Sequence, residues 1–310
     1  MTGERGNAPW KPRAWRAIRM LLRVAPLVAL AAWVWATQPL SEVSARVADA
    51  DWPLLVAAVL VNLLMFMPIR AVRWRIAMRS PPPFPTIVAA MLEGSAVAAV
   101  FGTAMGDVTR SSRLRGAESF AQDMGAVLAE RACEFLSLSV LFGAVAAAGV
   151  VPRAWLAVPA AVLAALLVVV RWRAVIVARA GNWPRVQAGL ESLTSALTAR
   201  RVAAMPGLAF AGWASEVVML HLVLEALGLP SGAGVAALIV IAINVAITLP
   251  GVPANLGTFE AGVVVALGQA GVAQATALSF ALLYHALHLV PTVLIGGSMW
   301  AIRGPRAGRG

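Results

Sequence analysis

Two carboxylates stand out in a very apolar chain: Asp107 in "GDVTR" and Glu260 in "LPGVPANLGTFEAG". A carboxylate at the centre of a lipid-facing helix costs roughly 2.5–3.5 kcal/mol on insertion scales, so each is expected to face a cavity or a partner. Both lie among helix breakers, where unpaired backbone groups and half-helix dipoles gather. Asp107, Glu260 and the neighbouring Asn255 are therefore candidates for contact with a polar ligand. Arg110, Arg113 and Arg115 follow Asp107, and a planar guanidinium pairs bidentately with phosphate, which makes this run a candidate anion site. Retention of those arginines at the inner leaflet is the competing reading.

Glu130 and Arg131 form an adjacent pair read as a helix start, either binding substrate or fixing helix orientation as a buried ion pair. Arg70 and Arg73, with Trp74, divide between headgroup anchoring and cavity entry. Glu216, His221 and His285 are candidates for proton coupling, since His221 and Glu225 share a helix face and His285 and His288 lie together. Ordinary interhelical contacts explain the same residues. The single Cys133 excludes an internal disulfide and any multi-cysteine metal site. No HExxH, Walker, GxSxG or GxGxxG pattern occurs, so no metal, cofactor or ATP hydrolysis is expected.

The elements that position these residues follow from composition. The chain has 310 residues, 60% of them hydrophobic and only 13% charged, against about 25% charged in soluble domains. Mean hydropathy is +0.81. These values indicate an all-α, multi-pass membrane protein. The net charge of +11 comes from arginines between the apolar runs, which fits cytoplasmic loops and anionic headgroups better than nucleic acid.

Residues 1–23 read as a basic cytoplasmic N-terminus, 24–302 as one membrane domain and 303–310 as a cytoplasmic tail. After a first span to Ala36, the acidic loop 38–51 fits the outer side. A second span, Trp52–Ile69, returns to a cytoplasmic cluster of Arg70, Arg73, Arg75 and Arg79. Full crossing of Phe84–Met105 would then place Arg110, Arg113 and Arg115 outside, against the positive-inside rule. A re-entrant segment removes that conflict and implies a polar cavity. Spans are expected at Met124–Gly149, Trp155–Val170, Pro206–Leu227 and Thr276–Ile302. Residues 184–201 read as an amphipathic linker at the inner interface. Ala233–Gly271, with arms short for crossing, reads as a second re-entrant hairpin. The total is about six full spans and two re-entrant hairpins, eight membrane elements in all.

The two breaker segments match. Asp107 and Glu260 lie 153 residues apart; Arg131 and His285, like Trp52 and Pro206, lie 154 apart. Residues 52–150 and 206–302 are thus expected to be inverted-topology repeats, an arrangement that places a transporter site near the membrane midplane.

On these residues the sequence resembles the lysylphosphatidylglycerol synthase transmembrane, or flippase-like, family: "RAVRW", "GDVTR", "AER" and "PGVPANLGTFE" occur in the family's order over most of the chain. Aspartate replaces the family's usual glutamate at 107, and histidine its usual arginine at 285. The resemblance implies a bacterial inner-membrane lipid translocase without the soluble aminoacyl-transfer domain. Lipids moved in the family would include aminoacylated phospholipids, polyprenyl-phosphate sugars and hopanoid-related lipids, and the substrate here is expected to carry an anionic, phosphate-bearing headgroup. Lipid-biosynthetic enzymes would be its partners. An intramembrane enzyme acting on a lipid-linked phosphate and an accessory lipid-presenting protein are the alternatives.

Overall fold

The computed structural model describes residues 47–78, 80–114, 120–149, 187–193, 203–247 and 255–303, with isolated helical positions at 45 and between 157 and 179. They belong to one compact unit, Val43–Gly310; the other, Met1–Glu42, lies outside the described residues. So do the expected first span, most of Trp155–Val170, Arg79, Arg115, Leu249–Ala254 and the tail from residue 304. Every described regular element is helical.

Helix α1 (Trp52–Ala77) starts at Asp51, whose carboxylate accepts the Leu54 N–H at 3.4 Å. Pro53 occupies the first turn, where a missing N–H costs nothing. The sequence reading ended this span at Ile69 and assigned Arg70, Arg73 and Arg75 to a loop. That expectation is corrected: the helix continues to Ala77, and Arg73 is only 2% exposed. Pro68 removes an N–H and crowds the carbonyl four residues back, and the chain accommodates it with a π turn, Asn62–Phe66. Arg70 and Arg73 are accommodated in the helix packing because Glu130 and Glu134 on a later helix pair with them, while Arg75 is exposed.

Helices α2 (Phe84–Phe101) and α3 (Thr103–Arg113) form a tight hairpin about Gly102. Gly102 has φ +87° and ψ 162°, a conformation open to glycine and strained for any side chain. The arms touch so closely that a Cβ on Gly106 would lie 2.5 Å from the Ala98 Cβ. Helix α4 follows at Phe120–Ala147. Glu130 and Arg131 therefore lie mid-helix and not at a helix start, because the polar turn around Gln122 and Asp123 is helical too. The helical stretch 187–193, inside the expected amphipathic linker, packs on this turn, with Ser192 Oγ donating to the Gln122 carbonyl at 2.8 Å.

The second half repeats the pattern. Helix α5 (Met205–Ala226) is followed by a second hairpin, α6 (Ala233–Ala246) and α7 (Thr258–Gln269), and then by α8 (Gln274–Arg303). Asn255 (φ +57°) and Gly257 (φ +82°) turn the chain into α7. The contacts between helices come in matching pairs: α2 packs along α8 as α6 packs along α4, and α3 meets α4 as α7 meets α8. Helices α1 and α5 are antiparallel. The Asp51 N–H donates to the Ala226 carbonyl at 3.0 Å, while Met205 packs against Ala71, Trp74 and Ala77 at the other end.

One apolar cluster joins the start of α1 and the end of α4 to α5–α8 through Leu55, Phe142, Leu224, Ile239 and Phe280. A second joins the end of α1 to α2 and the start of α4 through Trp74, Ile87 and Val127. Large apolar side chains also point outward: Leu64, Val140, Val265 and Leu294 are each more than half exposed. Such a belt fits a lipid solvent. Four helices, α1, α2, α5 and most of α8, are long and apolar enough to cross a membrane. Helix α2 is among them at 18 residues, although Phe84–Met105 was read as re-entrant. Its partner α3 has 11 residues, α6 has 14 and α7 has 12. At 1.5 Å per residue these three are about 17–21 Å long, short of the roughly 30 Å hydrocarbon core.

Candidate functional site

A cavity of about 540 Å³ opens between the two apolar clusters, with walls from α1, from both hairpins and from α4, α5 and α8. Its polar face carries Arg70, Asp107, Arg110, Arg131 and Glu134. Glu216, Asn244, Asn255, His285 and His288 line the cavity too. Trp213, Ile243 and Phe259 supply apolar wall.

The basic face is held by a buried ion network. Arg73 on α1 donates to Glu130 at 3.1 Å and to Glu134 on α4, and Arg70 lies 3.8 Å from Glu134. Arg110 on α3 reaches Asp107 at 3.0 Å and Glu130 at 2.7 Å. Arg131 spans Asp107 at 3.1 Å and Glu134 at 2.7 Å. The Arg110 guanidinium also sits 4.7 Å from the centroid of the Trp74 ring, a desolvated cation–π contact. Four arginines thus meet three carboxylates. Arg73 and Glu130, 2% and 0% exposed, lie beneath the wall and hold the others in place. Of this network, three arginines and two carboxylates reach the cavity, so the network contributes a surplus of one positive charge to a cavity that Glu216 also lines. Isolated arginines inside a membrane protein are costly, and this network offsets the cost while leaving Arg70 and Arg131 partly exposed toward the cavity and the Arg110 guanidinium nitrogens buried.

The second half has a smaller counterpart. His285 Nδ1 pairs with Glu260 Oε1 at 2.8 Å, linking α8 to the short helix α7 as Arg131 links α4 to α3. His285 lines the cavity; Glu260 does not. The Glu260 carboxylate turns back to accept the Gly257 N–H at 2.6 Å, so it caps α7 and orients His285. Phe259 stacks on His285 with ring centroids 4.0 Å apart. The buried Tyr284 hydroxyl, behind the wall, donates to Glu216 at 3.1 Å.

The sequence candidates therefore separate. Asp107, Arg110, Arg131, Arg70, Asn255, Glu216 and His285 meet at one cavity. Arg73, Glu130 and Glu260 stand behind its wall. Arg113 lies apart, paired with Glu93 on α2 at 2.5 Å. His221 also lies apart, with Nδ1 against the Ser231 carbonyl. Since Arg110 and Arg113 are paired inside the helix packing, they do not act as free loop charges. Glu134 was not anticipated, although it accepts or pairs with three arginines. Its signal was the Glu130/Glu134 spacing of four facing the Arg70/Arg73 spacing of three. Glu93, Tyr284 as a partner of Glu216, and Asn244 were also missed.

No curated protein and no solved structure matches the sequence. The family described as the lysylphosphatidylglycerol synthase TM region matches residues 20–296, nearly the whole membrane chain and every residue of the cavity. The protein is a multi-pass membrane protein of lipid-related function, and it belongs to the lysylphosphatidylglycerol synthase transmembrane family.

Proposed function

We propose that this protein is a lipid translocase of the bacterial inner membrane. It moves a lipid with a phosphate-bearing headgroup, or one of the polyprenyl or hopanoid-related kind, between leaflets without altering it chemically and without hydrolysing ATP. The observation that carries the reading is the cavity itself: the edges of Arg70 and Arg131 on a pre-built ionic scaffold that the buried Arg110 completes, at the meeting point of two broken hairpins. Arg70 and Arg131 pair with the phosphate, whose charge replaces part of the carboxylate field they already feel. The acyl chains stay in lipid, so only the headgroup needs the polar route.

The doubled contacts, the antiparallel α1 and α5, and the short α3, α6 and α7 support two inverted repeats, each with a re-entrant hairpin. Six spans plus these hairpins place both termini in the cytoplasm. Broken helices at membrane depth then line a water-accessible site, as inverted-repeat transporters require. A gradient, or consumption of the lipid on the far side, drives the transport, and a lipid-biosynthetic enzyme is the natural partner there.

The test uses purified protein in vesicles containing fluorescent phosphatidylglycerol, with dithionite bleaching the outer leaflet. Bleaching that proceeds into the inner-leaflet pool, with the lipid recovered chemically intact, is the expected outcome. A chemically altered lipid favours the intramembrane-enzyme reading, and bleaching no deeper than in protein-free vesicles contradicts translocation of this lipid.

A further inference from the structure

Glu216 differs from every other described acid that lines the cavity or backs its wall. Asp107, Glu130 and Glu134 each meet at least two arginines, and Glu260 meets a histidine and a backbone N–H. Glu216 is 8% exposed, lines the cavity and accepts one hydrogen bond, from the neutral Tyr284 hydroxyl. No arginine lies within ion-pair distance of it among the described residues. Its electrostatic neighbours are Arg70 on α1 and Glu134 on α4. Arg73, also on α1, approaches α5 one turn away, at Gly212. Helix α8 presents Tyr284 and His288, and His288 Nδ1 is buried with no hydrogen-bond partner. Helix α6 presents only the uncharged Asn244, and residues 52–66 of α1 bring no titratable side chain.

Resting on the translocase reading, we infer that Glu216 binds a proton together with the anionic headgroup, so that lipid and proton move as a neutral pair. The cavity's charge leads there. Arg70, Arg110 and Arg131 against Asp107 and Glu134 give one positive charge, which an ionised Glu216 balances in the empty site; His285 protonated against Glu260 adds nothing. A phosphate monoanion on Arg70 claims that same positive charge and leaves Glu216 as an uncompensated anion in a desolvated cavity. Taking one proton from water onto a Glu216 carboxylate oxygen restores neutrality. Anion binding and proton binding therefore favour each other, and the linkage is reciprocal. A gradient of protons would then drive lipid uphill with no nucleotide.

The experiment titrates the detergent-solubilised full chain with dihexanoyl phosphatidylglycerol in a calorimeter, in two buffers of different ionisation enthalpy. Wild-type protein is expected to take up about one proton per lipid bound. Glu216→Gln is expected to bind the lipid with no uptake. Tyr284→Phe keeps the carboxyl and is expected to keep the uptake with a displaced pH midpoint, which guards against a fold-damaged Gln variant. Lipid binding without proton uptake in the wild type, or full uptake in Glu216→Gln, overturns the coupling and leaves the translocase reading standing. Proton uptake on binding with no transbilayer movement in vesicles would overturn the translocase reading alone. No binding of the probe overturns both for phosphatidylglycerol.

Discussion

Glu130→Gln and Arg70→Gln should separate the ionic scaffold from the working surface. Glu130 is fully buried and takes a hydrogen bond from Arg73 at 3.1 Å and an ion pair from Arg110 at 2.7 Å. Glutamine keeps the shape and removes the charge that two guanidiniums share. Breaking a buried pair by removing one partner costs about 3–5 kcal/mol. Arg73 retains Glu134 and Arg110 retains Asp107, so the lower end, about 3 kcal/mol, is expected. At roughly 2–4 °C per kcal/mol for chains approaching this size, the melting midpoint should fall by about 6–12 °C. Arg70 has a single, long ion pair at 3.8 Å and a 16% exposed side chain. Its loss should cost no more than about 1 kcal/mol of stability. It should, however, remove a charge-assisted bond to phosphate worth about 1.5–3 kcal/mol, a drop of roughly 10- to 100-fold in affinity for dihexanoyl phosphatidylglycerol. Melting in detergent and calorimetric binding read the two effects separately. The division is refuted if Arg70→Gln melts as low as Glu130→Gln, or if Glu130→Gln melts with the wild type.

Three further outcomes follow from the fold. Gly102→Val puts a β-branched residue at φ +87°, and the strain of about 1–3 kcal/mol should lower the melting midpoint measurably; an unchanged midpoint would mean the turn differs from the one described. Glu260→Ala removes both the Gly257 cap and the His285 pair, and should cost about 1–3 kcal/mol, whereas Glu260→Gln should recover part of that loss because its amide oxygen still caps. For topology, a cysteine at Ser80 should react with a membrane-impermeant thiol reagent only from the cytoplasmic side and one at Ser231 only from the outside, the native Cys133 being buried. Labelling of both from one side would contradict the inverted arrangement.

The hairpin breaks were legible because glycine, proline and asparagine in an apolar run have few other uses at membrane depth. The 153–154 residue offsets aligned Asp107 and Arg131 with Glu260 and His285, and each half has the corresponding contact, Asp107–Arg131 and Glu260–His285. Other features were hidden for physical reasons. Arg70 and Arg73 look like loop charges until the facing Glu130 and Glu134 are placed on α4, a relation that crosses nearly sixty residues. Helix α4 begins before its hydropathy does, since Gln122 and Asp123 are helical but polar. Whether a carboxylate faces the cavity or caps its own helix, as Glu260 does, depends on one backbone turn at residues 255–257. That turn contains two residues at positive φ, which local spacing does not reveal.

If the protein translocates lipid, the headgroup passes through this cavity. Ser95 on α2 lines it, and the only native thiol, Cys133, is buried outside it. In vesicles with fluorescent phosphatidylglycerol, Ser95→Cys protein should translocate lipid until a bulky thiol reagent is attached to residue 95. Translocation should then fall to the protein-free rate, while the wild type treated with the same reagent is unaffected. Full-rate translocation by the fully modified protein would contradict the account.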